Sequence, residues 1–179
     1  SNNCEMIAEK IWNIGKKYNM ILTGTPGFRA RRIEAGLLSA GNDFNKTTTP
    51  FFVGLGRFVD LNKKQFLGKS ALLTASKENK LFGIKVRNGI AIRGPLYSPN
   101  DRLIGKVTSC TWSPYFECGV GIVHVHVSNY TAGSEVKVIG QDKKKYSAKL
   151  CSLPMYDEKG LIVRGKDDQI PSGPSPWMK

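Results

Sequence analysis

Apolar residues recur at helical spacing near the start of the chain. Ile7, Ile11, Ile14 and Tyr18 fall at i, i+4, i+7 and i+11, one stripe of a period of about 3.6 residues. Glu5 and Glu9 lead, and Lys10, Lys16 and Lys17 trail, the charge order a helix dipole favours. The spacing predicts an amphipathic helix that begins almost at once. With no initiating Met, the chain reads as a fragment.

Thr25-Pro26 predicts a second helix, an N-cap type followed by Pro at the first helical position. It would run through Arg29, Arg31, Arg32 and Ile33 and stop at Gly36. Gly41-Asn42-Asp43 and Thr47-Thr48-Thr49-Pro50 read as loop, Phe58 to Leu61 as a strand. Lys69 to Lys77 carries Ala71, Leu72, Leu73 and Ala75, a short helix.

Beyond Leu81 the pattern changes to short alternating runs: Leu81–Arg87, Leu103–Cys110, Val120–Val127, Glu135–Ile139 and Lys145–Cys151. Turn residues punctuate them at Asn88-Gly89, Pro99-Asn100-Asp101, Ser113-Pro114, Ala132-Gly133 and Gly140-Gln141-Asp142. Residues 81–151 are therefore expected to form an antiparallel barrel or sandwich of about five or six strands, since such runs need closure to remove their edges. Within Val120–Val127, Val123, Val125 and Val127 share one face; Val120, Ile122, His124 and His126 share the other. From Asp157 the chain is polar and then Pro-rich, with Pro171, Pro174, Pro176 and Trp177, and reads as an extended tail.

Composition narrows the class. No apolar run approaches the ~18 residues of a membrane span, and no charged lead and apolar stretch announce a secretory signal. Cys4, Cys110, Cys118 and Cys151 form no CxxC pair, so free thiols in a cytoplasmic protein are expected. The net charge of +13 suits a polyanionic partner, or only a soluble enzyme with a basic outer face.

Little in the chain spells out chemistry. His124-x-His126 puts two imidazoles on one strand face, but a third metal ligand would have to come from elsewhere. The plainer reading is two histidines at a half-buried strand surface. Gly54-Leu55-Gly56 is too short for a phosphate loop, and Lys143-Lys144-Lys145 reads as a solvated hairpin tip. No catalytic acid, base or nucleophile is assigned.

A set of ordered segments says more. Arg32-Ile33-Glu34-Ala35-Gly36-Leu37 is followed by Gly41-Asn42-Asp43, Thr49-Pro50-Phe51 and Gly54-Leu55-Gly56. Phe66-Leu67-Gly68-Lys69 with Ala71-Leu72, then Ile104-Gly105-Lys106-Val107-Thr108-Ser109 with Ser113-Pro114, and Gly119-Val120-Gly121-Ile122 with Val125 complete it. In this order the segments resemble the C-terminal half of the glycine cleavage T-protein (aminomethyltransferase) family, from roughly Cys4 to Tyr156. Two positions depart from the family pattern, Arg57 where it usually has Trp and Cys110 where it usually has Gly. The stretch from Arg32-Ile33-Glu34 to Asp43, the basic Arg57 and Thr111-Trp112-Ser113-Pro114 look closer to its dimethylsulfoniopropionate demethylase branch.

The resemblance implies an α+β fold: residues 1–64 complete a folate-binding core, 65–156 form a C-terminal antiparallel β-barrel, and 157–179 are the tail. It implies tetrahydrofolate as cofactor and a small-molecule methyl or aminomethyl donor, with the catalytic Asp and most pocket walls in a missing N-terminal half. Alone, the chain is expected to be inactive and, with its inter-lobe surface bare, prone to dimerise. Arg32 is the candidate folate contact, through a folate carboxylate or by organising carbonyls beside the pterin; an ion pair with Glu34 or Asp43 is its structural alternative. Glu34 would orient Arg32. Trp112, expected in a turn, would pack over the cavity mouth or serve as a core-edge aromatic, and Arg57 would face a substrate or folate carboxylate or stand as a solvent-facing surface residue. The positive charge would steer a polyglutamate tail. Three other readings remain: a stand-alone basic barrel binding nucleic acid, which the few strand aromatics (Phe82, Tyr146) disfavour, a non-catalytic folate-family remnant acting as an interaction module, and the C-terminal part of a dimethylglycine- or sarcosine-oxidising flavoprotein.

Overall fold

A computed structural model describes residues 3–162 and 164–168. The Pro-rich end with Trp177, expected as a tail, lies outside the described residues. Helix α1 spans Cys4–Gly15, a 3-10 turn follows, and α2 spans Thr25–Glu34 with Pro26 in its first turn. Gly36 ends α2 as expected, at φ 69°, a left-handed conformation that glycine adopts without the cost a side chain brings. Helix α3 is Lys69–Thr74. The strand expected at Phe58 to Leu61 does not form. Gly56–Phe58 is a 3-10 turn instead, because no neighbouring strand offers that segment a ladder.

Six strands follow: β1 Leu81–Val86, β2 Ala91–Tyr97, β3 Leu103–Ser113, β4 Cys118–Val125, β5 Glu135–Gly140 and β6 Lys145–Cys151. They close into an antiparallel barrel in the order β1-β4-β3-β2-β5-β6, with β6 returning to β1. Strand β2 is not legible as an alternating run because Gly94 and Pro95 interrupt it; its pairing shifts register on both sides. The Asn88-Gly89 turn joins β1 to β2 without pairing them, whereas the turns after β2, β3 and β5 make true hairpins.

The barrel interior holds Ile84, Val86, Leu96, Val107, Val123, Val125, Val136, Val138 and Leu150. A second core lies outside the barrel wall, where Val120, Ile122, Cys118, Leu81 and Phe116 pack against Ile33 of α2 and Val53. All eight residues of β4 are buried because each face meets a different core, as the alternation around Val123 implied. Gly105 lets the wall close: a Cβ there would lie 2.0 Å from the His124 carbonyl oxygen. By contrast α1 buries nothing, and Ile7, Ile11 and Ile14 are half exposed or more. Among the described residues no helix is long and apolar enough to cross a membrane.

Candidate functional site

The polar chemistry gathers where α2 and the following loop meet the outer wall of the barrel. Asp43, fully buried, is its centre. Its Oδ2 accepts from Arg32 Nη1 at 2.9 Å and from the Ser39 amide at 2.8 Å. Its Oδ1 accepts from the Thr108 hydroxyl at 2.7 Å and the Ser109 hydroxyl at 2.6 Å. Ser109 Oγ in turn accepts from Arg32 Nη2 at 2.8 Å, closing a ring of Arg32, Asp43 and Ser109.

Two consecutive strand residues ordinarily point to opposite faces, so Thr108 and Ser109 should not both reach one carboxylate. A β-bulge removes the conflict. Val107 pairs with Val123, but Ser109 pairs with Ile122, leaving Thr108 as the extra residue. Both hydroxyls then face outward to Asp43, and Cys110 returns to the interior side.

The main chain of Asp43 continues the network. Its carbonyl lies 2.7 Å from His124 Nε2, which therefore carries the proton and donates. Burial, more than the nearby charges of Lys106 and His126, pushes the His124 pKa below its ordinary 6.5. A neutral imidazole suits that one bond.

A parallel joint lies two residues along α2, on the helix flank away from Arg32. Glu34, also fully buried, accepts from Ser113 Oγ at 2.6 Å and from Arg31 Nη1 at 3.0 Å. Ser113 Oγ also accepts from the Phe116 amide at 3.0 Å, and the Glu34 carbonyl accepts from the Met155 amide at 2.7 Å. No buried side-chain polar atom among the described residues lacks a partner, so these joints are complete.

The four expected site residues thus fall into four places. Arg32 is engaged by Asp43 and Ser109 and also donates from Nη1 to the Leu37 carbonyl at 3.1 Å. Its structural alternative is realised with Asp43 and not with Glu34. Glu34 does not orient Arg32; it faces Arg31 and Ser113, because adjacent α2 positions diverge around the helix. Trp112 is not in a turn but in β3, between the joints at Ser109 and Ser113, and is 43% exposed. Arg57 sits apart on an exposed 3-10 turn, its guanidinium 4.9 Å from the Phe58 ring centre. The roles of Asp43, Ser109 and Ser113 were hidden in motif positions that carry no spacing signal of their own. All four cysteines are free, and burial raises the Cys151 thiol to about 12.

Two family profiles match this arrangement of lobe and barrel: the GCVT N-terminal domain over residues 1–63 and the glycine cleavage T-protein C-terminal barrel domain over residues 79–157. The chain belongs to the glycine cleavage T-protein family. An aminomethyltransferase of Aquifex aeolicus is 38% identical over 108 residues, 60% of this chain and 31% of that protein. One of Prochlorococcus marinus (strain NATL1A) is 35% identical over 161 residues, covering 83% of this chain and 41% of the relative. Glycine cleavage system aminomethyltransferase T from Bartonella henselae, a crystal structure, superposes with a TM-score of 0.74 at 28% identity, over 88% of this chain and 45% of that one. The chain thus spans less than half the length of these T-protein relatives. Its α+β architecture with a C-terminal barrel is the family's.

Proposed function

We propose that this chain is the C-terminal part of a tetrahydrofolate-dependent one-carbon transferase that takes an aminomethyl or methyl group from a small-molecule donor. The observation that carries the reading is continuity: family likeness runs through both the lobe and the barrel, and hydrogen bonds from Arg32, Asp43 and Glu34 to Thr108, Ser109 and Ser113 tie one to the other. A rigid joint between lobes is what a positioning catalyst needs, since holding reactants in line supplies much of the rate.

Within that reading Arg32 braces Asp43, Ser109 and the Leu37 carbonyl rather than spending its charge on ligand, because both terminal nitrogens already hold protein oxygens. Glu34 sets the same helix against Ser113. Trp112 offers a flat, half-exposed indole on which a pterin ring would rest, and Arg57 would pair with a carboxylate of the donor or the folate.

The finer reading is that the donor is dimethylsulfoniopropionate, favoured by Arg57 and by Thr111-Trp112-Ser113-Pro114. There the S–CH3 bond breaks as the N5–CH3 bond forms, the electron pair returns to a neutral sulfide, and the N5 proton passes to solvent. No acid need protonate the leaving sulfur, so in-line positioning and exclusion of water carry the catalysis. The test supplies the first half of the enzyme in trans to the purified chain, with tetrahydrofolate and dimethylsulfoniopropionate, and follows 5-methyltetrahydrofolate by chromatography. Activity only in the reconstituted mixture is expected. Turnover by the chain alone would overturn the placement of the catalytic groups upstream, and a reconstituted enzyme that transfers from aminomethyl donors but not from the sulfonium would remove the finer reading.

A further inference from the structure

The outer face of β4 carries a second feature that the Asp43 joint does not use. Past His124 opens a pocket of about 460 Å³, lined among others by Asn45, Thr47, Thr48, Lys80, Lys106 and His126. Its position follows from register. Lys106 of β3 stands directly across from His124, and Lys80, just before β1, accepts at its carbonyl from the Val125 amide at 2.8 Å. A lysine therefore flanks the His124–His126 edge on either side. Phe52 forms the inner wall, its ring 4.9 Å from that of His124 and 6.0 Å from that of His126.

We propose that this pocket binds a small organic anion bearing phosphate or several carboxylates. Three observations point there. First, charge: the sole carboxylate of the lining is Glu78, which is half exposed and pairs with Lys80, whereas Lys106 has no acidic partner among the described residues. The buried Asp43 behind the wall is already neutralised by Arg32. Second, donors: Asn45 Oδ1 accepts from the Thr47 amide at 2.9 Å, from Thr47 Oγ1 at 2.7 Å and from Thr48 Oγ1 at 3.3 Å. Those bonds use the Thr47 and Thr48 hydroxyl hydrogens and leave the Asn45 Nδ2 amide as the donor without a partner among the described residues. Third, field: after burial, the charges of Lys106 and Lys80 are what hold the His126 pKa below its ordinary 6.5, so both ammonium groups act at this mouth. A pocket that is positive, keeps the Lys106 ammonium and the Asn45 amide as donors and is walled by one aromatic ring attracts an anion and repels a metal cation, and His124 Nε2 is in any case taken by Asp43.

The proposal stands apart from the one-carbon reading, because every group it uses lies in this chain and no upstream half is needed. It is tested by amide and imidazole NMR of the full chain, titrated separately with inorganic phosphate, adenosine monophosphate and tri-γ-glutamate. Saturable shifts at Thr47, Lys106 and His126 are expected, with the His126 pKa rising on binding as the anion offsets Lys80 and Lys106 against the single charge of Glu78. Lys106→Gln should weaken binding by about tenfold or more, the worth of one charge-assisted contact, and Lys143→Gln at the distant β5–β6 turn should not. The arm that saturates distinguishes a phosphate from a carboxylate ligand. No saturable shift in any arm, or equal binding by Lys106→Gln in a spectrum that shows it folded, would overturn the proposal.

Discussion

Helix α1 and strand β4 are patterned alike and end differently. Both place apolar side chains at the period of their own backbone, one stripe in α1 and two faces in β4. In β4 every residue is buried, because its two faces meet the barrel interior and the α2 layer. In α1 no residue is buried, and Ile7 at 50%, Ile11 at 57% and Ile14 at 51% keep their stripe in the open. An amphipathic pattern states only that a face seeks cover. The barrel supplies cover from its own closure, whereas α1 finds none among the described residues, a contrast that accords with a chain spanning less than half of its relatives' length.

Three measurements sharpen that contrast. The largest effect is expected at the joint between the α2 layer and the barrel. Asp43→Ala strips Arg32, whose side chain is 11% exposed, of its carboxylate, together with the acceptors of Thr108 and Ser109. Breaking a buried pair from one side costs about 3–5 kcal/mol, read as a drop in the urea midpoint; a loss under about 1 kcal/mol would mean the joint does not hold the lobe. Next, Leu96→Ala inside the barrel should cost about 2–5 kcal/mol, while Ile11→Ala on α1 should stay within about 0.5 kcal/mol. Equal losses at both positions would show that α1 is covered after all.

The smallest effect is a pH dependence. Burial lowers the folded pKa of His124 below 6.5, so in acid the unfolded chain binds the extra proton first. Stability from this site is full above about pH 6.5 and falls as pH drops below it; His126, shifted the same way, adds to the slope. His124→Gln keeps a donor for the Asp43 carbonyl but cannot titrate, and its urea midpoint should fall less steeply on acidification. An identical slope in both proteins would assign the effect elsewhere.

Much of this was readable in the residues themselves. Pro26 and Gly36 bracket α2 because a ring-fixed first turn and a left-handed stop are local demands that no distant contact has to meet. Thr25, expected as the N-cap, is instead the first helical residue, with Gly24 at the cap and no side-chain cap bond. The alternation through Val123 and Val125 declares a two-faced strand for the same local reason. Partnership was not readable. That Arg32 takes Asp43 while Glu34 takes Ser113 depends on how far α2 turns between residues and on which barrel strand lies beneath each. Phe58 to Leu61 has strand-like composition, yet a strand exists only where a neighbour offers its ladder. The bulge at Thr108 is the sharpest case: period-two alternation sends Thr108 and Ser109 to opposite faces, and only the pairing of β3 with β4 inserts the extra residue that turns both hydroxyls to one buried carboxylate. Local sequence determined the elements and their faces, through backbone conformation and periodicity. Tertiary structure decided which polar groups meet, because a buried charge is satisfied by geometry across the chain and not by its neighbours in sequence.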